Sequence, residues 1–403
     1  MEQTTMKKNN GYKIAFFIVM SIIALVIRYI YRDFQSPDYY WYLRIWFDQL
    51  KEGGGFLALS QPISNYSPLY IYIMAFLTYL PVNSLYSIKA VSVIFDFVAA
   101  YYVFKLLEIK FKNHFLTYLG AAVTLFLPTV IINGAYASQC DIIFSAFLLG
   151  TIYYLIKEKN ITALIFFGIA VSFKLQAAFL APVFLILLLK KQVKIWQLFL
   201  APLVYLGTLI PAYLIGRPFR ELITIYFTQV GYYPYLTMNC ANIYQFFEEK
   251  NFDIINRIGI IGTLIIVLFI CFWIGLSKKK LDADLMTEVS VLILLVIPFF
   301  LPQMHERYYF PAEVLAVVYA FYNRKYFYVP IALIVASFLS YGPFIFNKHL
   351  IDMRILAVTI FMVIIFFVSD ISIKLRKEIS QDEEHSDYGG DQGNRVLPDT
   401  ELS

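Results

Sequence analysis

Apolar residues run along this chain in stretches of bilayer length rather than in the short alternating patterns of a soluble core. Examples are KIAFFIVMSIIALVIRYI near the start, GTLIIVLFICFWIG in the middle and ILAVTIFMVIIFFVS near the end. A helix crossing the hydrocarbon core needs roughly 17 to 25 such residues. On that basis about twelve spans are expected, at about 13–31, 85–107, 115–134, 142–157, 160–173, 175–189, 195–215, 254–276, 285–301, 309–322, 326–346 and 354–374. Several are short for a full crossing. The pattern predicts an all-α, polytopic transmembrane helical bundle.

Short basic clusters alternate with nearly uncharged turns. Lys7 and Lys8, Lys110 and Lys112, Lys157 and Lys159, Lys190 and Lys191, Lys278 to Lys280, Arg324 and Lys325, and Lys374 to Lys377 belong on the cytoplasmic side. The apolar stretch Pro68 to Leu80 would reverse that order if it crossed, so it is expected as an interfacial or re-entrant helix. Both termini then lie in the cytoplasm, and the large external segments are 32–84, with interfacial helices, and 216–253. Residues 1–12 form a cytoplasmic N-terminus that reads as a retained signal anchor, 13–376 the transmembrane domain, and 377–403 a disordered acidic cytoplasmic tail.

Composition agrees with a membrane protein: 60% of the residues are hydrophobic, 18% are aromatic, and the mean hydropathy is +0.66. The net charge of +5 is spread over loop ends and forms no nucleic-acid-binding face. Cys140, Cys240 and Cys271 lack metal or redox spacing, and no nucleotide-binding loop occurs.

Ionisable residues gather in the external segments. Asp38, in SPDYYWYLRIW, reads equally as the cap of an interfacial helix or as a reactive carboxylate. Asp33 reads as a solvated boundary charge, and Asp48 as a surface partner of Lys51. Gln139 and Asp141, in YASQCD, stand at the mouth of a span, where a carboxylate caps a helix, binds sugar hydroxyls or supports a cation. Lys174 interrupts a long apolar run and calls either for an anionic partner, a role that a lipid phosphate would fill, or for snorkelling outward. His305, Glu306 and Arg307 crowd one turn. It reads as an interfacial anchor, with Arg307 snorkelling and Tyr308 and Tyr309 in the aromatic belt, or, favoured by the density of charge, as a phosphate contact suited to a guanidinium fork. Asp96, deep in its span, is expected to make a packing contact inside the bundle. Tyr232, Tyr233 and Tyr235 suit the headgroup zone or sugar stacking.

The order of these signals is Asp38, NYSPLYIY, YASQCD, the Phe173–Lys174 pair and a late HERY turn. Over about residues 10 to 375 it resembles bacterial GT-C glycosyltransferases, more narrowly the branch related to GPI mannosyltransferases. The first loop and the YASQCD turn are also similar to loops of bacterial oligosaccharyltransferase.

The resemblance implies a multi-pass plasma-membrane enzyme of GT-C fold with its active site on the extracytoplasmic face. It would move a hexose, of mannose type, from a polyprenyl-phosphate donor to an extracytoplasmic glycan, lipid or polymer acceptor. Asp38 would be the catalytic base, and Lys174, His305 and Arg307 would contact the donor phosphate. Gln139, Asp141, Asn65 and Tyr66 would bind the sugar or acceptor. No cofactor is firmly implied, although a divalent cation is admitted, and Asp141 stands alone where some relatives carry adjacent carboxylates. The expected partners are the lipid-linked donor, the acceptor and membrane lipids, with no nucleic acid. The alternatives are a flippase for a lipid-linked sugar, or a glycan ligase or polymerase that does without Asp38.

Overall fold

The computed structural model of the protein describes residues 2–112, 114–229 and 233–389. Tyr232 and residues 390–403 of the expected acidic tail lie outside the described residues. Up to the middle of the chain the helices are α1 (Glu2–Ile30), α2 (Arg44–Glu52), α3 (Pro68–Leu77), α4 (Ser84–Phe111), α5 (Phe115–Phe126), α6 (Pro128–Val130), α7 (Asp141–Ile156), α8 (Asn160–Phe173) and α9 (Ala181–Leu189). They continue as α10 (Leu200–Leu214), α11 (Phe219–Thr224), α12 (Phe252–Gly275), α13 (Ala283–Phe300), α14 (Phe310–Tyr322), α15 (Tyr328–Ser340), α16 (Gly342–Phe346) and α17 (Met353–Gly389). Two short strands, β1 (Thr237–Met238) and β2 (Met304–His305), pair in parallel.

Each expected span coincides with helix. Among the described residues, seven helices are long and apolar enough to cross a membrane, or eight if the pair Phe115–Phe126 and Pro128–Tyr136, bent by 48°, counts as one. The bend has a local cause: Leu127 precedes Pro128, whose ring drives it out of the helical region to ψ 127. The remaining apolar helices are shorter, among them α3, which at ten residues is about 15 Å long, half the hydrocarbon thickness. It packs against α2, α8 and α10.

The surface and the interior divide as a bilayer requires. Along α12, Ile254, Ile258, Ile261, Ile265 and Phe269 form an exposed apolar stripe that water would not tolerate on this scale. Helix α13 is enclosed by α9, α12, α14 and α17 and forms the centre. Asp96 makes the interior contact expected of it: Arg28 Nε donates to its Oδ2 at 2.7 Å, while the rest of the guanidinium reaches the carbonyls of Ala24 and Leu125. Lys89 Nζ donates to the carbonyls of Tyr31 and Phe34, both at 2.7 Å, and so closes the end of α1 and directs the chain into the first loop. Asp48 does not use Lys51. It faces Arg44 at 3.6 Å, one helical turn back.

Candidate active site

The first loop, the 131–141 segment, the α8 exit and the turn before α14 meet at one end of the bundle. In SPD, Ser36 takes the cap: its Oγ accepts from the Tyr39 N–H at 3.1 Å and donates to the Ala137 carbonyl at 2.6 Å, with Pro37 following in the first helical position. Asp38 makes no capping bond. Its side chain turns instead to Gln139, whose Nε2 donates to Oδ2, and to Arg307, whose Nη2 stands 3.7 Å away. Among the described residues, Oδ1 has no protein partner.

Gln139 and Asp141 are presented by an irregular path. After a π-helical turn at Ile131–Tyr136, Ser138 takes a left-handed conformation at φ 61° before α7 begins. Asn133, inside the π turn, closes the path by donating from Nδ2 to Asp141 Oδ2 at 2.8 Å and accepting the Asp141 N–H at 3.2 Å. Asp141 is therefore held from behind, with its Oδ1 given to Lys174.

Lys174 sits where α8 stops. Its backbone is extended (φ −154°, ψ 135°), which separates α8 from the 3₁₀ turn Leu175–Leu180 and turns the side chain inward. The anionic partner expected for it is a protein carboxylate, Asp141, and its Nζ also lies 5.6 Å from the centre of the Tyr66 ring.

Arg307 comes from the turn that β2 opens. The strand pairs Met238 with His305, the Glu306 N–H donates to the Met238 carbonyl at 3.1 Å, and the Gln303 N–H donates to the Leu236 carbonyl at 2.8 Å. Arg307 Nη1 donates to Glu306 Oε1 at 3.1 Å. Its Nε, 3.6 Å from Asp141, has no hydrogen-bond partner although it is buried. Nε and Nη2 thus face the carboxylates of Asp141 and Asp38 at ion-pair distance without hydrogen bonding them, and Arg307 lines the cavity.

The charge states follow from this packing. Burial works against an ionised Glu306, but Arg307 and then His305 outweigh it and hold its carboxyl at about 2. Burial and the neighbouring Arg307 push the His305 imidazole below its ordinary range, so at neutral pH it serves as a neutral donor and acceptor rather than a third cation. Burial also opposes the Arg307 charge, and the carboxylates of Glu306, Asp38 and Asp141 overcome it.

The cavity has a volume of about 170 Å³. Asp38, Asn65, Tyr66, Gln139, Lys174, His305 and Arg307 all line it, whereas Asp141 lies behind the wall and braces Lys174. Sequence reasoning gave no role to Glu306 or Asn133, did not single out Trp46, and read Tyr308 as part of the interfacial aromatic belt. Trp46 and Tyr66 lie 5.2 Å apart as an aromatic wall, and Tyr308 Oη accepts from Gln176 Nε2 at 2.8 Å. The signal for Glu306 was its place between His305 and Arg307; for Asn133 there was none. Among the described residues, no group of three or more His, Cys, Asp or Glu comes together that could hold a metal ion.

A family model described as dolichyl-phosphate-mannose-protein mannosyltransferase matches residues 61–216. That stretch includes Asn65, Tyr66, Gln139, Asp141 and Lys174. No curated protein matches the chain. By structure, the chain is similar to ArnT from Cupriavidus metallidurans bound to undecaprenyl phosphate, with TM-score 0.55 and 13% identity over 90% of this chain and 73% of that one. It is also similar to the apo state of the same protein, with TM-score 0.57 and 14% identity over 91% of this chain and 73% of that one. At such identity the likeness establishes the fold. Matched stretch and fold agree: residues 61–216 resemble a lipid-phosphate-sugar mannosyltransferase family, and the chain as a whole has the membrane fold of ArnT.

Proposed function

We propose that this enzyme transfers a hexose from a polyprenyl-phosphate donor to an extracytoplasmic glycan or lipid-linked acceptor, with inversion. The observation that carries the reading is a single cavity lined by a carboxylate, Asp38, and by two cations, Arg307, which stands 3.7 Å from it, and Lys174. Asp38 takes the proton of the acceptor hydroxyl as that oxygen attacks the anomeric carbon, and the bond to the phosphate oxygen breaks with its electron pair on the phosphate. Arg307 and Lys174 receive the departing charge, and Asp141 and Asn133 hold Lys174 in position. Since a lipid phosphate leaves readily, no second carboxylic acid is needed to protonate it. The description of the matching family supports a mannose-type sugar, and the undecaprenyl phosphate named with ArnT supports a polyprenyl carrier. Tyr66 and Trp46 supply the apolar faces against which a sugar ring packs.

The test is purified protein incubated with radiolabelled polyprenyl-phosphate hexoses and a total-membrane acceptor fraction. Label should leave the lipid and appear in acceptor. Label that stays on the lipid with every hexose tried would sink the reading and favour a carrier of intact lipid-linked sugar.

The reading also places the site end of the bundle outside, with both termini in the cytoplasm, in a plasma-membrane protein whose acidic end from 377 onward is cytoplasmic. Single cysteines at Ser64 and Val82, on either side of α3, should then both react with an impermeant thiol reagent in intact cells. Background is low because Cys140, Cys240 and Cys271 are buried. Reaction at position 82 only after permeabilisation would mean that α3 crosses the membrane.

A further inference from the structure

A second groove opens at the far end of the bundle, between the C-terminal end of α12 and α17, with a volume of about 640 Å³. Its distance from the candidate active site follows from the helix itself. Asn256, near the start of α12, accepts from Gln303, which lines the active-site cavity; Leu276, twenty residues on, lines the groove. At 1.5 Å per residue the two levels are about 30 Å apart, the thickness of the hydrocarbon core. The groove therefore lies at the opposite membrane interface.

Its chemistry is divided by depth. Phe269, Phe272 and Leu276 form an apolar wall, all of them exposed. Around the rim stand Lys278, Lys279 and Arg376, and among the described residues no carboxylate lines the groove. Trp273 lines the groove beside Phe272, about one helical turn before the rim, at a depth that suits an indole. The turn carrying the two lysines is built rather than loose: Lys190 Nζ donates to the Ser277 carbonyl at 2.8 Å, to Ser277 Oγ at 2.9 Å and to the Lys279 carbonyl at 2.5 Å. Three cations fixed above an apolar wall at the headgroup level match a phosphate with hydrocarbon attached below it.

We propose that this groove binds one anionic glycerophospholipid, its phosphate among Lys278, Lys279 and Arg376 and its acyl chains along Phe269 and Phe272. The site is separate from the donor site at the other membrane face and does not depend on the transfer reaction.

The test uses the full-length protein in detergent, titrated with phosphatidylglycerol or phosphatidylcholine, with bound lipid counted by native mass spectrometry. One phosphatidylglycerol should be retained in preference to phosphatidylcholine. The triple variant Lys278→Gln, Lys279→Gln, Arg376→Gln should bind it on the order of 100-fold more weakly, from about fivefold per cation. Brominated phosphatidylglycerol should also quench the wild-type tryptophan fluorescence more than brominated phosphatidylcholine does, a readout independent of any variant. Equal retention or quenching by the two lipids, unchanged binding by a folded triple variant, or displacement by millimolar inorganic phosphate would each overturn the proposal.

Discussion

Asp38→Asn should abolish sugar transfer while expression, membrane insertion and donor binding stay near wild type. Asparagine keeps the size of the side chain and can still meet Gln139 and Arg307, but it cannot take a proton. A positioned base contributes typically about 10²- to 10⁴-fold, or about 3 to 5 kcal/mol of the barrier. Helix capping offers no competing account of such a loss, because Ser36 carries the capping bond and Asp38 carries none. Asp33 and Asp48 are the internal controls. Asp33 is exposed and accepts from Tyr86 Oη at 2.6 Å, and Asp48 is exposed beside Arg44, so their asparagine variants should keep most activity. Normal turnover by Asp38→Asn in the purified assay, or a greater loss at Asp33, would remove Asp38 from the role of base.

Arg307→Ala should lower turnover by about 10²- to 10³-fold, the usual cost of losing one donor aimed at developing negative charge, and weaken donor binding with it. It should also lower thermal stability, since the buried Glu306 carboxylate would lose its nearest cation. Arg307→Lys separates the two effects. An ammonium keeps Glu306 company and restores much of the stability, yet it has no paired Nε–Nη2 edge, so activity should return only in part. Full activity in the lysine variant would dismiss the bidentate contact. Full activity in a folded alanine variant would make Arg307 a structural anchor.

The membrane class and the helical segments were legible because spans of bilayer length leave a signal that no soluble core produces. The ionisable residues that line the candidate cavity were legible too, because they interrupt those runs. How they connect was not. Asp141 and Asn133 join across a π-helical turn and a left-handed Ser138, a path that α-helical spacing does not describe. Arg307 approaches Asp38 and Asp141 only because β1 and β2 fasten the late turn to the 237–239 segment, a pairing of two residues on each strand that leaves little pattern in the chain. The role of Ser36 was readable and was overlooked, since a serine followed by proline marks a helix start in its own right. Asp48 shows the opposite fault. Spacing offered both Arg44 and Lys51, and only the structure chose.

The Lys174–Asp141 pair has a consequence for how the protein is made. Asp141 opens α7 and Lys174 follows the last residue of α8, so the two charges meet at the open end of a hairpin formed by neighbouring helices. During synthesis the carboxylate emerges 33 residues before the ammonium that neutralises it. A lone α7 would bring a bare charge to the lipid, whereas the completed hairpin brings a neutral pair. On this arrangement the two helices, rather than α7 alone, form the unit that presents no unpaired charge to lipid.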